Sequence, residues 1–256
     1  MKSHRPHVPA ILLTIALVMP GALAAAGPQA DAEGRAIAES VMDAMGGRAA
    51  WNDTRHVSWN FFGGGRKHHW DKWTGDVRIE SAEGQDRQGN RRPATLTLMN
   101  INTRSGRAWA DGEEVGGDEL AAMLESGWRA WVNDSYWMFM PYKLLDPGVT
   151  LTYMGEDLME DDRAADVLEL TFESVGVTPQ NKYLVFVARD SGLVEQWTHY
   201  SNSDDVEPRF TGPWADWKQF GNIMLATNHG RSADWDIAVY DELPAQIYTD
   251  PDYVVE

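Results

Sequence analysis

The chain has no cysteine among its 256 residues. That excludes a disulfide, a thiolate metal site and an acylated lipobox cysteine. Basic residues are also scarce, with 22 Lys and Arg against 39 Asp and Glu for a net charge of −17. Such a surface repels phosphate backbones, and nucleic-acid affinity comes mostly from Lys and Arg neutralising phosphates, so nucleic acid is not expected as a partner. No apolar run reaches the roughly 20 residues that a membrane-spanning helix needs. Catalytic signatures are missing as well. There is no Gly-x-Ser-x-Gly elbow, and Gly63-Gly64-Gly65 is followed by Arg66-Lys67-His68 rather than by the Lys-Ser/Thr of a phosphate loop. Ser105-Gly, Ser126-Gly and Ser191-Gly read as turns.

The amino terminus has the pattern of a secretory signal. Lys2 and Arg5 precede an apolar run from Val8 to Met19, then Pro20-Gly21 and a string of alanines ending in Ala24-x-Ala26. Residues 1–26 are therefore read as a cleaved signal peptide and residues 27–256 as a single domain. The expected location is the periplasm, without a lipid anchor. Cleavage removes two basic residues and no acidic one, leaving a mature chain with a net charge of about −19.

Hydrophobic periodicity then sets the elements. Ile37, Ala38, Val41, Met42 and Met45 form a helical stripe from Asp31 to Met45, stopped by Gly46-Gly47. From Arg55 the period changes to two, with Val57, Trp59 and Phe61 opposite His56, Ser58 and Asn60. Short strands recur near 67–73, 76–81, 94–101, 107–111, 149–154, 166–173, 182–189, 194–200, 214–220, 223–229 and 235–240, with turn residues between them. Within this array Leu120, Met123, Leu124, Trp128, Trp131 and Val132 define a helix with a large apolar face, leading through Trp137 into Pro141-Tyr142-Lys143 and Pro147-Gly148. The expected fold is mainly β with helices (α+β). It is an antiparallel half-barrel of about 10 or 11 strands with an N-terminal helix and a helical lid or plug.

Several features resemble the LolA/LolB-like superfamily of bacterial outer-membrane lipoprotein-sorting proteins. These are the helix ending in Gly46-Gly47, the strand pair His69-Trp70-Asp71 and Gly75-Asp76-Val77-Arg78, and the helix leading into Pro141–Gly148. The resemblance implies an incomplete barrel closed by a helical lid around an apolar cavity that holds lipid or lipoprotein acyl chains. It transfers no individual ligand contact to this sequence.

Twelve tryptophans call for a large buried volume, and aromatic stripes at strand and helix spacing form solid core by default. As a ligand site they would present Trp59, Phe61, Trp109, Leu120, Leu124, Trp128, Trp131 and Trp137 to an apolar cavity under the lid. The expected function is a non-enzymatic binder or carrier of a lipid-like ligand in the bacterial envelope, with an envelope lipoprotein or membrane complex as a further partner. The alternative is a carbohydrate-binding module or carbohydrate-active enzyme using the open sheet face, which needs tryptophans in an exposed row or two carboxylates across a cleft.

No metal or cofactor is assigned. His69 and Asp71 share one side of a strand, but a distant His199 would have to converge on them, and exposed histidines in an acidic chain need no ion to explain them. The acidic runs Glu156–Asp162 and Asp204–Glu207 lack calcium-loop spacing and read as solvated turns. The sequons Asn52-Asp53-Thr54 and Asn133-Asp134-Ser135 read as helix-start and turn residues.

Overall fold

The structure is a computed structural model that describes residues 29–61, 65–86, 88–230 and 235–254. The signal segment and the glycines at 63 and 64 lie outside these residues. A two-residue strand β1 (Gln29–Ala30) leads into helix α1 (Ala32–Ala44). Asp31 caps this helix by accepting from the Gly34 amide at 2.6 Å. The stripe read from the sequence is its buried face: Ala38, Val41, Met42 and the following Met45 are all in the core. The glycines do more than end it. With φ of 110° and 88°, Gly46 and Gly47 turn the chain straight into a second helix, α2 (Gly47–Asp53). The first sequon therefore lies at the end of a helix and not at its start.

The strands follow as β2 (His56–Phe61), β3 (Arg66–Asp71), β4 (Asp76–Ser81), β5 (Gly84–Gln85), β6 (Arg91–Arg92), β7 (Thr95–Asn100), β8 (Ser105–Ala110) and β9 (Glu113–Glu114). After the long helix α3 (Gly117–Phe139) come β10 (Val149–Leu158), β11 (Ala164–Phe172), β12 (Lys182–Ala188), β13 (Val194–Tyr200), β14 (Phe210–Pro213), β15 (Ala215–Phe220), β16 (Ile223–Asn228) and β17 (Ile237–Tyr240). They form a seven-stranded sheet in the order β17-β2-β3-β4-β7-β8-β9 and a six-stranded sheet in the order β1-β10-β11-β12-β13-β14. Two ribbons, β5-β6 and β15-β16, complete the set. All pairings are antiparallel except β1 on β10. The sheets are not closed into a barrel. The expectation of an open antiparallel sheet with helices holds, though with more and shorter strands than the sequence suggested.

Register assigns the two faces of the seven-stranded sheet. Trp59, His68, Ile79, Thr97 and Ala108 stand in one crosswise row, and Val57, Trp70, Val77, Met99 and Gly106 in the next row of that face. Helix α3 packs on this inner face. The close approach is at Gly127, where a side-chain Cβ would stand 3.2 Å from Thr97 Cγ2. The helix continues to Phe139, about 35 Å in all at 1.5 Å per residue, and passes into a 3₁₀ turn at Met140–Lys143.

The carboxy-terminal part of this segment is the centre of the core. Met138, Phe139, Met140, Tyr142 and Leu144 are all buried. Phe139 meets Trp59 edge-on at 5.1 Å, and Tyr142 stacks on Trp51 at 4.1 Å. The Tyr142 hydroxyl donates to the Met224 carbonyl at 2.8 Å and lies 3.0 Å from that of Met45, tying α1 and β16 to the end of α3. A second aromatic group lies on the six-stranded sheet, where Trp197 stacks on Tyr183 and meets Trp137, Phe210 and Trp214 edge-on. The interior between the sheets is thus a filled aromatic core.

A charged network crosses that core. Asp134, on α3 and fully buried, accepts from Arg66 Nε at 2.6 Å and from a second Arg66 nitrogen at 2.9 Å. His68 Nε2 lies 2.7 Å from the same carboxylate, and its ring stacks on Trp59 at 4.6 Å. This corrects the reading of Asn133-Asp134-Ser135 as a turn, because the three residues fall inside α3 and the last two are buried. The buried carboxylate fixes α3 to β3 and sets the rotation of the helix on the sheet.

Candidate functional site

A cleft opens where the second half of α3 leaves the seven-stranded sheet and meets β10, β11 and β12. Its volume is about 170 Å³. Trp131, Val132, Tyr136 and Trp137 form the helix side, and Val149, Phe172, Val175 and Tyr183 form the sheet and loop side. Lys143 and Asp146, paired at 3.3 Å, supply charged groups to the lining.

Local sequence explains the geometry. Val132, Tyr136 and Val149 belong to the stretch that folds as helix, 3₁₀ turn and strand, and the Pro147-Gly148 corner reverses the chain between them. Gly148 has φ of 82°, a left-handed conformation that a side chain would strain. Tyr136 is edge-on to Phe172 at 5.6 Å and tilted against Tyr183 at 5.6 Å. Trp131 is edge-on to Trp70 at 5.2 Å, which joins the cleft to the inner face of the other sheet.

Two polar atoms of this wall are buried without a hydrogen-bond partner among the described residues: the Tyr136 hydroxyl and the Trp131 indole nitrogen. Burial, with Tyr183 and Asp146 close by, holds the Tyr136 hydroxyl well above its usual range, so it remains a neutral donor. Burial likewise pushes Tyr183 up to about 12, and its oxygen accepts from Asn181 at 3.2 Å. The cleft thus offers apolar walls and one charged pair.

The eight residues expected from the sequence divide. Trp131 and Trp137 line the cleft. Trp59 is wholly buried between Phe139 and His68, and Phe61 packs edge-on against Trp235 at 5.5 Å. Leu120, Leu124 and Trp128 lie on the first half of α3, where Arg104 covers the Trp128 ring at 3.5 Å. Trp109 stands on the opposite face, because register pairs it with Leu96 and with the outward row of Lys67 and Glu80. Sequence reading missed Tyr136, Phe172, Val175 and Tyr183. Tyr136 was legible, lying four residues from Val132 on the helix stripe, whereas the others come from strands and a loop with no local signal.

The histidines also differ from expectation. His68, His69 and His199 are buried, not exposed. His69 is on the outer face of β3 beside Ser58, Asp71 accepts from Arg55 at 2.9 Å, and His199 stacks on Tyr183 in the other sheet at 5.0 Å. Among the described residues no three His, Asp or Glu side chains converge as a metal site would require.

No protein-family model matches the chain, and no curated protein matches it. Solved structures give loose likenesses, among them the following two. A DUF1329 family protein from Desulfovibrio piger aligns over 85% of this chain and 97% of its own, with 13% identity and a TM-score of 0.42. MucB, solved in complex with MucA(peri), aligns over 76% and 62% with 12% identity and a TM-score of 0.24. Neither is close enough to transfer a property. No helix among the described residues is long and apolar enough to cross a membrane.

Proposed function

We propose that the protein is an exported, non-enzymatic binder of a slender apolar ligand, taken up in the cleft between the second half of α3 and strands β10 to β12. The observation that carries this reading is the cleft itself, with its aromatic and aliphatic walls. A single acyl chain or similar tail suits such walls, and a polar end could pair with Lys143 or Asp146. The volume sets the limit. At about 170 Å³ the cleft is below the roughly 300 to 1,000 Å³ of pockets that enclose drug-sized ligands, so a diacyl lipid would not fit without movement of α3. Carriage of lipoprotein acyl chains, as the LolA/LolB resemblance implies, would require that movement.

The carbohydrate alternative needs several exposed tryptophans in a row. All twelve lie in described positions, and Trp73 is the one exposed. The apolar reading is tested with N-phenylnaphthylamine, an uncharged fluorophore, displaced by fatty alcohols of increasing length. Saturable binding with little salt dependence supports it, as burial rather than charge would drive association. The reading fails if there is no binding, or if Val177→Trp, placed in the lining, leaves binding unchanged.

A further inference from the structure

The outer face of the seven-stranded sheet carries a second cleft to which the apolar-ligand reading gives no role. Register sets Lys67, Glu80, Leu96 and Trp109 in one crosswise row and His69, Arg78, Leu98 and Arg107 in the next. The carboxy-terminal segment is strapped across this face. Arg78, itself buried, donates to the carbonyl of Asp250 at 3.0 Å and that of Pro251 at 3.2 Å, and pairs with Glu80. Tyr248 in the same segment lies 2.9 Å from His56 Nδ1. Between strap and sheet is a cleft of about 670 Å³, with Leu96 and Trp109 in its lining. This is well within the range of small-molecule sites. A recess of about 240 Å³ shares Lys67, Arg78 and Glu80 with it and is lined by His69.

His69 gives the adjoining recess its chemistry. The residue is 1% exposed, its Nδ1 lies 2.6 Å from Ser58 Oγ, and its Nε2 has no hydrogen-bond partner among the described residues. A buried polar atom left unpaired is unfavourable, and a ligand atom that pairs with it removes that cost. Burial, then the positive charges of Lys67 and Arg78, push the imidazole down to about 3, so the ring is neutral. In the tautomer in which the Ser58 hydroxyl donates to Nδ1, the neutral ring carries its proton on Nε2, a donor for an acceptor brought into the recess. Lys67 stands beside it, paired at 3.7 Å with the solvent-exposed Asp236, whose place a ligand anion could take. Glu80 is neutralised by Arg78. Asp252 is the carboxylate in the lining that opposes an anion.

We infer that this outer cleft binds a small organic anion, with its carboxylate or phosphate at His69 Nε2 and Lys67 Nζ and its apolar part along Leu96 and Trp109. The site is separate from the apolar cleft on the inner side and stands independently of it.

Titration calorimetry on the mature chain tests this with phenyl phosphate and phenylacetate, and with benzyl alcohol as the uncharged control. At least one anion should bind, and the alcohol should bind about tenfold more weakly or not at all. The preferred anion identifies the group as phosphate or carboxylate. Lys67→Gln, at a partly exposed position, should weaken binding about tenfold, and Asp252→Asn should strengthen it. In nitrogen NMR of the wild-type chain the His69 Nε2 resonance should move on titration while that of His68 stays. Trp131→Ala, in the other cleft, should leave anion affinity unchanged. The inference is overturned if neither anion binds, if the alcohol binds equally well, or if Lys67→Gln binds normally with no shift at His69.

Discussion

Asp134→Asn is the sharpest test of how the long helix is held. The wild-type carboxylate is fully buried and receives two nitrogens of Arg66, at 2.6 and 2.9 Å, with His68 Nε2 at 2.7 Å. The amide keeps the volume but loses the charge and presents an NH₂ toward donors. Breaking a buried ion pair by removing one partner costs about 3 to 5 kcal/mol, because the remaining charge is stranded. Arg66 keeps 24% of its side chain in solvent, which eases the stranding, so the lower end of about 3 kcal/mol is expected. For a domain of this size each kcal/mol moves the melting temperature by about 2 to 4 °C, giving a fall of roughly 6 to 12 °C. Urea denaturation followed by tryptophan fluorescence and by circular dichroism reads both the magnitude and the cooperativity. Glu83→Gln, at the exposed Arg91 pair where both side chains are more than half in solvent, is the control and should not shift the midpoint measurably. If Asp134→Asn is as stable as the control, the network does not hold α3 on the sheet and the reasoning fails.

Acid should destabilise the fold through its buried histidines. His229 lies between Trp214 and Trp235 with no hydrogen-bond partner for its ring among the described residues, and burial lowers it from 6.5 to about 3. The unfolded chain therefore takes up this proton first, so the contribution is present above about pH 6.5 and is lost as pH falls toward 3. His229→Phe should flatten the acid limb of stability against pH by about one proton, or about 1.4 kcal/mol per pH unit, and an unchanged slope would refute it. Gly127→Val should wedge α3 off Thr97 at a cost of about 1 to 3 kcal/mol, checked by thermal unfolding. Trp131→Ala should lower stability by about 2 kcal/mol, less than the roughly 3 to 5 kcal/mol for the fully buried Trp197→Ala, while abolishing binding of N-phenylnaphthylamine. Equal losses of stability in the two variants would make Trp131 ordinary core.

Where the fold was legible, periodicity made it so. The alternation through Val57, Trp59 and Phe61 and the stripe from Leu120 to Val132 placed β2 and α3, and the Asp76–Ser81 strand falls where its pattern put it. Two-residue strands such as β5, β6 and β9 are too short to show a period. The helix ends later than its stripe suggested because Tyr136, Met138 and Phe139 continue it into a core that surrounds it on several sides. Charge was the least legible property. Asp134 and Arg78 look like surface residues in sequence, and only long-range register brings Arg66 and His68 to the first and the carboxy-terminal carbonyls to the second. The candidate site was half legible for the same reason. Its helix wall follows from spacing, but which face of each strand meets that wall depends on pairings that no local pattern encodes. Trp109, one strand position away from the inner row, shows how one residue of parity moves a side chain to the other side of a sheet.

The most direct measurement of the proposed function is photocrosslinking with a fatty alcohol that carries a diazirine near the end of its chain, followed by peptide mass mapping. The alcohol is uncharged, so the anion-binding groups proposed for the outer cleft give it no advantage. The expected result is labelling concentrated in the peptides containing Trp131 to Val149 and Phe172 to Tyr183, reduced by excess unlabelled alcohol and lost in Val177→Trp. Labelling confined to other surfaces, or labelling that excess alcohol does not compete away, would contradict an apolar-ligand site between α3 and strands β10 to β12.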